Sequence, residues 1–514
     1  MSHTKHIIRN NQYFDSVFLM GINKRLLAEK GVIQSAVLMG SPANKQLLAD
    51  IHVHHPEIDQ AGANDLVVVV IAENEALAEQ AVGKLDEFLA GSPQLNADIQ
   101  LRTLADGLRS LPGVNLVSIS LPGEYAAREA RIALQNGLNL FIFSSNVSVQ
   151  DELELKRNAR EKGLLVMGPD CGTSIINGVG LGFANRVRRG TVGIIGPSGT
   201  GLQEITCLLH HLGLGISHAI GTGTRDLKDE IGGLTTLLAL DLLEKNAATQ
   251  AIAIVSKPVG QKSLAALVNR LENGSKPVVA CFLGETQLPT AHRSLLQYSD
   301  TIDDAAEKIY LRLLGKSSPF ADQVDQELVN REAQLFAPGQ KYVRGLFAGG
   351  TFCYQSQHIL KSSGFELYSN EPLDGVAQLP NPEQPLGHSL MDMGDELFTL
   401  GKPHPMIDGT MRSLRIRAEG HDPSVAILLL DFILGFNVSP DPVGEALDSI
   451  LAAKSEAQSA GRHLTVVTSI TGTEGDIQDI QLQRKLLEDA GVIVRPTNAA
   501  AARLCAAILT KLAG

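Results

Sequence analysis

Short apolar runs alternate along this chain with glycine-marked loops and with segments whose apolar residues recur at helical spacing. The runs include "DLVVVVIA" from Asp65, "VNLVSIS" from Val114, "NLFIFS" from Asn139, "LLVMG" from Leu164, "TVGII" from Thr191, "AIAIVS" from Ala251, "PVVACFL" from Pro277, "VAILLLDF" from Val425 and "HLTVVTSI" from His463. Almost all are continuous, as strands covered on both faces are. The repetition of strand, loop and helix predicts βαβ units and parallel sheets. The stretch 316–340 breaks the pattern: it is mostly polar, has no strand candidate and reads as a linker, partly helical. A basic cluster, "RVRRGT" from Arg186, marks a second boundary. The expectation is an α/β protein of three domains, 1–188, 189–318 and 338–514, with 319–337 as the linker.

Composition narrows the function classes. A chain of 514 residues is too long for one ordinary core. Its 44 basic and 56 acidic residues leave a net charge of -12 with no local basic patch, which argues against a nucleic-acid or anionic-membrane partner. No 18-residue apolar run occurs, and the start "MSHTKHIIRNNQYF" lacks the apolar stretch of a signal peptide, so a cytoplasmic location is expected. The five cysteines are widely spaced and form no CxxC, so reduced thiols are expected and no metal site.

In a parallel sheet, ligands gather at the carboxyl ends of strands, where helix N-termini present free amides. "GTVGIIGPSGTGLQE", Gly190 to Glu204, has this form: an apolar run, a glycine turn, then Leu202, Ile205, Leu208, Leu209 and Leu212 at helical spacing. Gly199 and Gly201 leave room for an anion and Ser198 and Thr200 add hydroxyls, which predicts a phosphate cradle. The spacing of Gly196 and Gly201 matches a Walker A loop, but Leu202 and Gln203 stand where Lys and Ser or Thr are required, so a P-loop NTPase is excluded. The bland alternative is a turn whose glycines only let helix pack on strand. A second junction, "VAILLLDFILGFNVSPDP", places Asp431 at a strand end and Gly435, Phe436, Asn437 and Ser439 before a helix opening near Asp441. A third, "TSITGTEGD" from Thr468, carries Gly472, Thr473 and Gly475. "MGPDCGTS" gathers Asp170, Cys171 and Thr173; with no histidine near it in sequence, Cys171 reads as a packed thiol rather than a nucleophile. "GKPHPMID" sets Lys402, His404 and Asp408 in a proline-braced loop, read either as functional or as a structural turn. His210 and His211 read as surface or capping residues.

The order of "LLVMGPDCGTSIINGVG", "GTVGIIGPSGTGLQE" and "AIGTGTRDL" resembles the α-subunit of succinyl-CoA synthetase. The C-terminal third, through "MDMGDELF" and "LLLDFILGF", resembles the carboxyl-terminal ligase domain of that enzyme's β-subunit. With "FDSV" at Phe14, "GPDCGT" at Gly168 and "KPHPMID" at Lys402, essentially the whole chain resembles the FdrA family of acyl-CoA-synthetase-like proteins. The resemblance implies a Rossmann-like CoA-binding-type domain followed by two flavodoxin-like ligase domains with parallel sheets. It implies a phosphate held between two helix N-termini, at Ser198, Gly199, Thr200 and Gly201 and at Gly435, Phe436, Asn437 and Ser439. Substrate contacts are expected at Asp170, Cys171, Thr173, Thr222 and Gly223, and catalytic roles at His404, Lys402 and Asp408.

The departures from the synthetase shape the functional expectation. Its phosphohistidine loop is replaced by "ETQLPTAHRSLLQ", where His292 lacks the glycine frame, and the glutamate that orients that histidine gives way to Lys257 and Pro258 in "SKPVG". The glycine loop that takes CoA near the N-terminus is replaced by "QYFDSVFLM", and no ATP-grasp domain precedes the C-terminal third. The resemblance therefore implies a subunit of a carbamoyl- or acyl-transferring complex that uses carbamoyl phosphate. The type is an oxamate carbamoyltransferase of purine and allantoin catabolism, with other subunits of a multi-protein complex as partners and CoA as a further ligand. Two alternatives stay open: an acid–CoA ligase acting with a separate nucleotide-binding subunit, and a non-catalytic scaffold subunit.

Overall fold

The computed structural model describes residues 3–12, 14, 16–41, 44–45, 48–49, 53–90, 101, 103–285, 288–289, 295–317, 324–399 and 402–513. The chain divides into two compact units, one of residues 1–102 with 399–403 and one of 103–398 with 404–514.

In the first unit β1 (His3–Arg9), β2 (Val32–Met39) and β3 (Leu66–Ala72) form an antiparallel sheet in the order β1-β3-β2. The central strand is the apolar run from Leu66, which explains why it is continuous: helices Ser16–Leu27 and Glu75–Gly83 cover one face with Leu19, Ile22, Leu26, Ala81 and Val82, and Ile58 of helix Pro56–Gln60 covers the other. A buried central strand reads the same whether its neighbours run parallel or antiparallel. The sequence therefore misplaced this segment in a parallel, Rossmann-like domain reaching to 188; residues 1–102 are a unit of their own.

Among the described residues the second unit holds three sheets. β4 (Leu116–Ile119), β5 (Asn139–Ile142) and β6 (Val166–Met167) are parallel, and this short Rossmann-like piece is what remains of the expected first domain. The second sheet contains β7 (Thr173–Ile176), β8 (Val179–Gly182), β9 (Arg189–Gly196), β10 (Ile216–Gly221), β11 (Ala251–Ser256), β12 (Val278–Phe282) and β13 (Leu296–Ser299), in the order β13-β12-β11-β9-β10-β7-β8. It is parallel except where β7 and β8 turn back at one edge. The third contains β14 (Tyr342–Phe347), β15 (Leu367–Ser369), β16 (Ala377–Gln378), β17 (His388–Asp392), β18 (Val425–Ile433), β19 (Thr465–Thr471) and β20 (Ile493–Arg495), all parallel, in the order β16-β15-β17-β14-β18-β19-β20. All nine residues of β18 and all six of β11 are buried.

In both larger sheets the first parallel strand lies inside and the later ones are added on both sides of it. β9 has β10 on one side and β11 on the other; β14 has β17 and β18. The loops leaving β9 and β14 therefore stand at the topological switch points, where doubly wound sheets open a crevice at the strands' carboxyl ends. The expected linker does contain a helix, Gln326–Leu335, whose Glu332 accepts from Thr465 Oγ1 at 2.8 Å. Among the described residues no helix is long and apolar enough to cross a membrane.

Candidate functional site

The loop after β9 is built as an N-cap. Ser198 is extended (φ -111°) and its Oγ accepts from the Gly201 amide at 2.9 Å, starting helix Gly199–His211. A Cβ at Gly201 would stand 2.4 Å from that Oγ, so the cap requires glycine there. The cap and the turn's own carbonyl use the amides of Gly201 and Leu202, which leaves those of Gly199 and Thr200 as the helix's orphan donors.

Helix Gly350–Ser362, which follows β14, meets this loop end to end. Ser198 Oγ is hydrogen-bonded to Thr351 Oγ1, and a Cβ on Gly349 would lie 3.0 Å from Thr200 Cγ2. Asp431, at the end of the neighbouring β18, fixes the second loop: it accepts from the amides of Ala348 at 2.9 Å and Gly349 at 2.8 Å and is paired with Arg412 at 2.8 Å. Two helix N-termini thus converge, each with a positive dipole end.

Further side chains stand around them. A Cβ at Gly199 would lie 3.6 Å from Thr173 Oγ1, a hydroxyl that is 1% exposed by residue and has no hydrogen-bond partner. Gly172 borders Phe183, and the Phe183 ring lies 6.0 Å from that of His404. Burial pushes the His404 imidazole down to about 4, so it is neutral near pH 7. A Cβ at Gly394 would stand 2.6 Å from His404 Nε2 and 3.2 Å from Asp392 Oδ1. Asp392 ends β17 against the second helix: a Cβ at Gly350 would meet its Oδ2 at 2.2 Å and Lys257 Nζ at 3.3 Å. Burial raises the Asp392 carboxyl to about 6, with Lys257 opposing. Lys257 itself lies over the Tyr354 ring, 4.4 Å from its centre. The junction thus combines orphan amides, an unpaired hydroxyl, an ammonium, a neutral imidazole and a carboxyl of raised pKa.

Of the residues singled out in the sequence, Ser198, Gly199, Thr200, Gly201, Thr173 and His404 come together here. The turn at Gly435 does not start a helix. Its Phe436 amide donates to Ala184 O at 2.9 Å and Asn437 Nδ2 to Gly182 O at 2.8 Å; Phe436 and Asn437 line a cavity of about 650 Å³ with Gly180 and Arg186. The helix begins at Pro442, capped by Asp441, where the sequence puts it, and Ser439 Oγ is spent on Glu445 at 2.7 Å. The second helix N-terminus is therefore the one at Gly349–Thr351. Cys171 is 3% exposed and its thiol is raised to about 11 by burial, which makes it a packing residue rather than a substrate contact. Asp170 accepts from Thr224 Oγ1; Thr222 is wholly buried; a Cβ at Gly223 would stand 2.3 Å from Pro169 O, so these three brace the neighbouring loop. Asp408 caps Thr410 N at 2.8 Å, and Lys402 is exposed. His292 lies outside the described residues. His210, expected as a surface or capping residue, is buried and bonds Arg188 N at 2.9 Å and Glu474 at 2.8 Å.

The sequence reading passed over Thr351, Asp392 and Arg412, and saw Lys257 only as a departure. The signal for the first was present: "LFAGGTF" is also an apolar run entering a glycine pair and a helix. Asp392 and Arg412 carry no local signal, because only the fold brings them to β14.

Comparison with known proteins begins with YahF of Escherichia coli (strain K12), which is 40% identical over 495 residues covering 96% of each chain. The chain belongs to the acyl-CoA synthetase-like family that includes YahF. In this chain the model for a CoA binding domain matches residues 187–284, a segment that opens with β9, and that for a CoA-ligase matches 346–508, a segment that begins at the end of β14. The CoA-binding match thus falls after the N-terminal 188 residues where the sequence placed it. A third model, AllF, heavy metal-associated domain, matches 1–120. The malate–CoA ligase α-subunit of Methylorubrum extorquens is 32% identical over 36% of the chain and 64% of its own length. The succinate–CoA ligase α-subunit 2 of Archaeoglobus fulgidus is 30% identical over 34% and 61%. The chain thus spans about three fifths of those two ligase subunits.

Proposed function

We propose that this acyl-CoA synthetase-like chain takes an acyl phosphate, with carbamoyl phosphate as the specific candidate, between the helix starts at Ser198–Gly201 and Gly350–Thr351. In transfer, the acceptor attacks the carbonyl carbon, the C–O bond to phosphate breaks, and its electron pair leaves on the phosphate oxygen. The orphan amides, the two dipoles and Lys257 are placed to stabilise that departing dianion. Asp392, half-protonated near pH 6, is placed to exchange a proton with the acceptor. The observation that carries the reading is Thr173 Oγ1: a buried hydroxyl with no partner, beside orphan amides, costs stability unless an acceptor such as a phosphate oxygen completes it.

Inorganic phosphate and carbamoyl phosphate, titrated into the full chain by calorimetry, are the test. Thr173→Val is expected to fold with stability within about 0.5 kcal/mol of the parent, since it removes an unpaired group, and to bind either ion at least about tenfold more weakly. Unchanged affinity in Thr173→Val would sink the assignment.

A second reading, acid–CoA ligase with a separate nucleotide-binding subunit, is favoured by the CoA binding domain and CoA-ligase matches. It predicts a rise in Tm with CoA; no shift at millimolar CoA counts against it. Carbamoyl transfer to oxamate in allantoin breakdown, within a multi-subunit complex, is the narrower form of the first reading. Release of carbamoyl phosphate from N-carbamoyl-2-oxoglycine, with the partner subunits present, checks it.

A further inference from the structure

The unit of residues 1–102 falls within the match to a heavy metal-associated domain, yet it contains no cysteine; all five lie between Cys171 and Cys505. Soft thiolate ligation is therefore unavailable in it. The donors it does bring together are imidazole and carboxylate. Ligand atoms of His6, His55 and Glu57 all lie within 4.8 Å of one another.

Rigid backbone places these three groups. His6 is at the middle of β1, opposite Val69 of the central strand. His55 is the extended N-cap residue (φ -151°) of helix Pro56–Gln60, with Pro56 locking the next φ, and Glu57 follows in the first turn. The rings of His6 and His55 are 4.0 Å apart between centroids and tilted by 43°. His6 Nε2 is 2.9 Å from Glu57 Oε2. His55 Nδ1 accepts only a long 3.3 Å bond from the Glu57 amide, which a coordinate bond outcompetes. Tetrahedral ligands at about 2.0–2.2 Å from a metal stand roughly 3.3 Å apart, so modest side-chain rotation closes the set.

We propose that His6, His55 and Glu57 bind a borderline divalent cation, Zn²⁺ being the best match to two imidazoles and a carboxylate. The site departs both from the absence of metal expected from cysteine spacing and from thiolate capture of a soft metal. Its helix contributes ligands only through side chains.

The experiment uses the full chain without a histidine tag, stripped with EDTA and dialysed. Zn²⁺ titration by calorimetry is expected to give one equivalent bound tighter than about 10 μM, and Co²⁺ to give visible d–d absorption. His6→Ala and His55→Ala are each expected to lose at least about tenfold in affinity, the lower end of what losing even an outer-sphere partner costs. The exposed Glu57→Gln and the smaller change His6→Asn serve where an alanine variant fails to fold. His421→Ala, which breaks a surface His–Glu pair 3.1 Å apart, is expected to leave binding unchanged. No binding at about 100 μM Zn²⁺, or undiminished binding in both His6 and His55 variants, overturns the proposal.

Discussion

The hydroxyl contact between Ser198 and Thr351 joins the two helix starts, and a double-mutant cycle measures what it contributes. Ser198 is 5% exposed and Thr351 3%, so neither hydroxyl is well placed to turn to solvent instead. Ser198 Oγ already accepts from the Gly201 amide, which makes it the natural donor to Thr351. Ser198→Ala removes an N-cap, at about 1 kcal/mol, and leaves the Thr351 hydroxyl without its partner, at about 1 kcal/mol more. Thr351→Val keeps the cap and loses only the inter-helix bond, at about 1 kcal/mol. The double variant leaves no hydroxyl unpaired, so it should cost about 2 kcal/mol rather than the 3 that addition gives, a coupling of about 1 kcal/mol. Urea unfolding followed by far-ultraviolet dichroism supplies the four stabilities, compared where the m-values agree. Coupling below about 0.3 kcal/mol, the scatter of independent sites, would refute the end-to-end contact and with it the shared crevice.

Further outcomes follow from the same packing. Burial holds the Asp392 carboxyl at about 6, so the folded chain keeps a proton that the unfolded chain releases; this contribution is complete below about pH 4 and is lost as pH rises through about 6. Asp392→Asn is expected to flatten the stability profile across that interval, and an unaltered slope between pH 4 and 6.5 counts against the assignment. Lys257→Met should weaken phosphate binding and move the Asp392 transition upward, because the ammonium is the largest charge lowering it; two-dimensional NMR of the carboxyl reads the second effect. Lys156, with no exposed side-chain surface, bonds Glu152 and Asp226 at 2.8 Å and Thr222 O at 2.9 Å. Lys156→Met leaves two buried carboxylates facing each other and is expected to cost about 3–5 kcal/mol; a loss under about 1 kcal/mol would mean the network relaxes.

The sequence displayed strands well where burial on both faces makes them continuous, and the first cradle well where an apolar run meets glycines and a capping serine. It failed where the same signal has two meanings. The run from Leu66 is continuous because it is the middle strand of a small antiparallel sheet, a property of its neighbours rather than of its residues. Gly435 follows a perfect buried strand and the next helix opens at Pro442, as expected, but the intervening turn docks on Gly182 and Ala184 instead of forming a helix start. Asp392, Arg412 and Lys257 were invisible as a set because each sits at the end of a different element and only strand order unites them. His6 and His55 are likewise 49 positions apart in the numbering, and their pairing depends on which face of β1 the short helix covers.

The two helices that meet through Ser198 and Thr351 belong to one polypeptide. Two separate subunits bearing such half-sites would come apart on dilution, and their activity per molecule would fall with concentration. Here each half finds the other at a fixed, intramolecular effective concentration. Stoichiometric imbalance between the halves cannot arise, and a substitution that loosens one half is felt in every copy of the site.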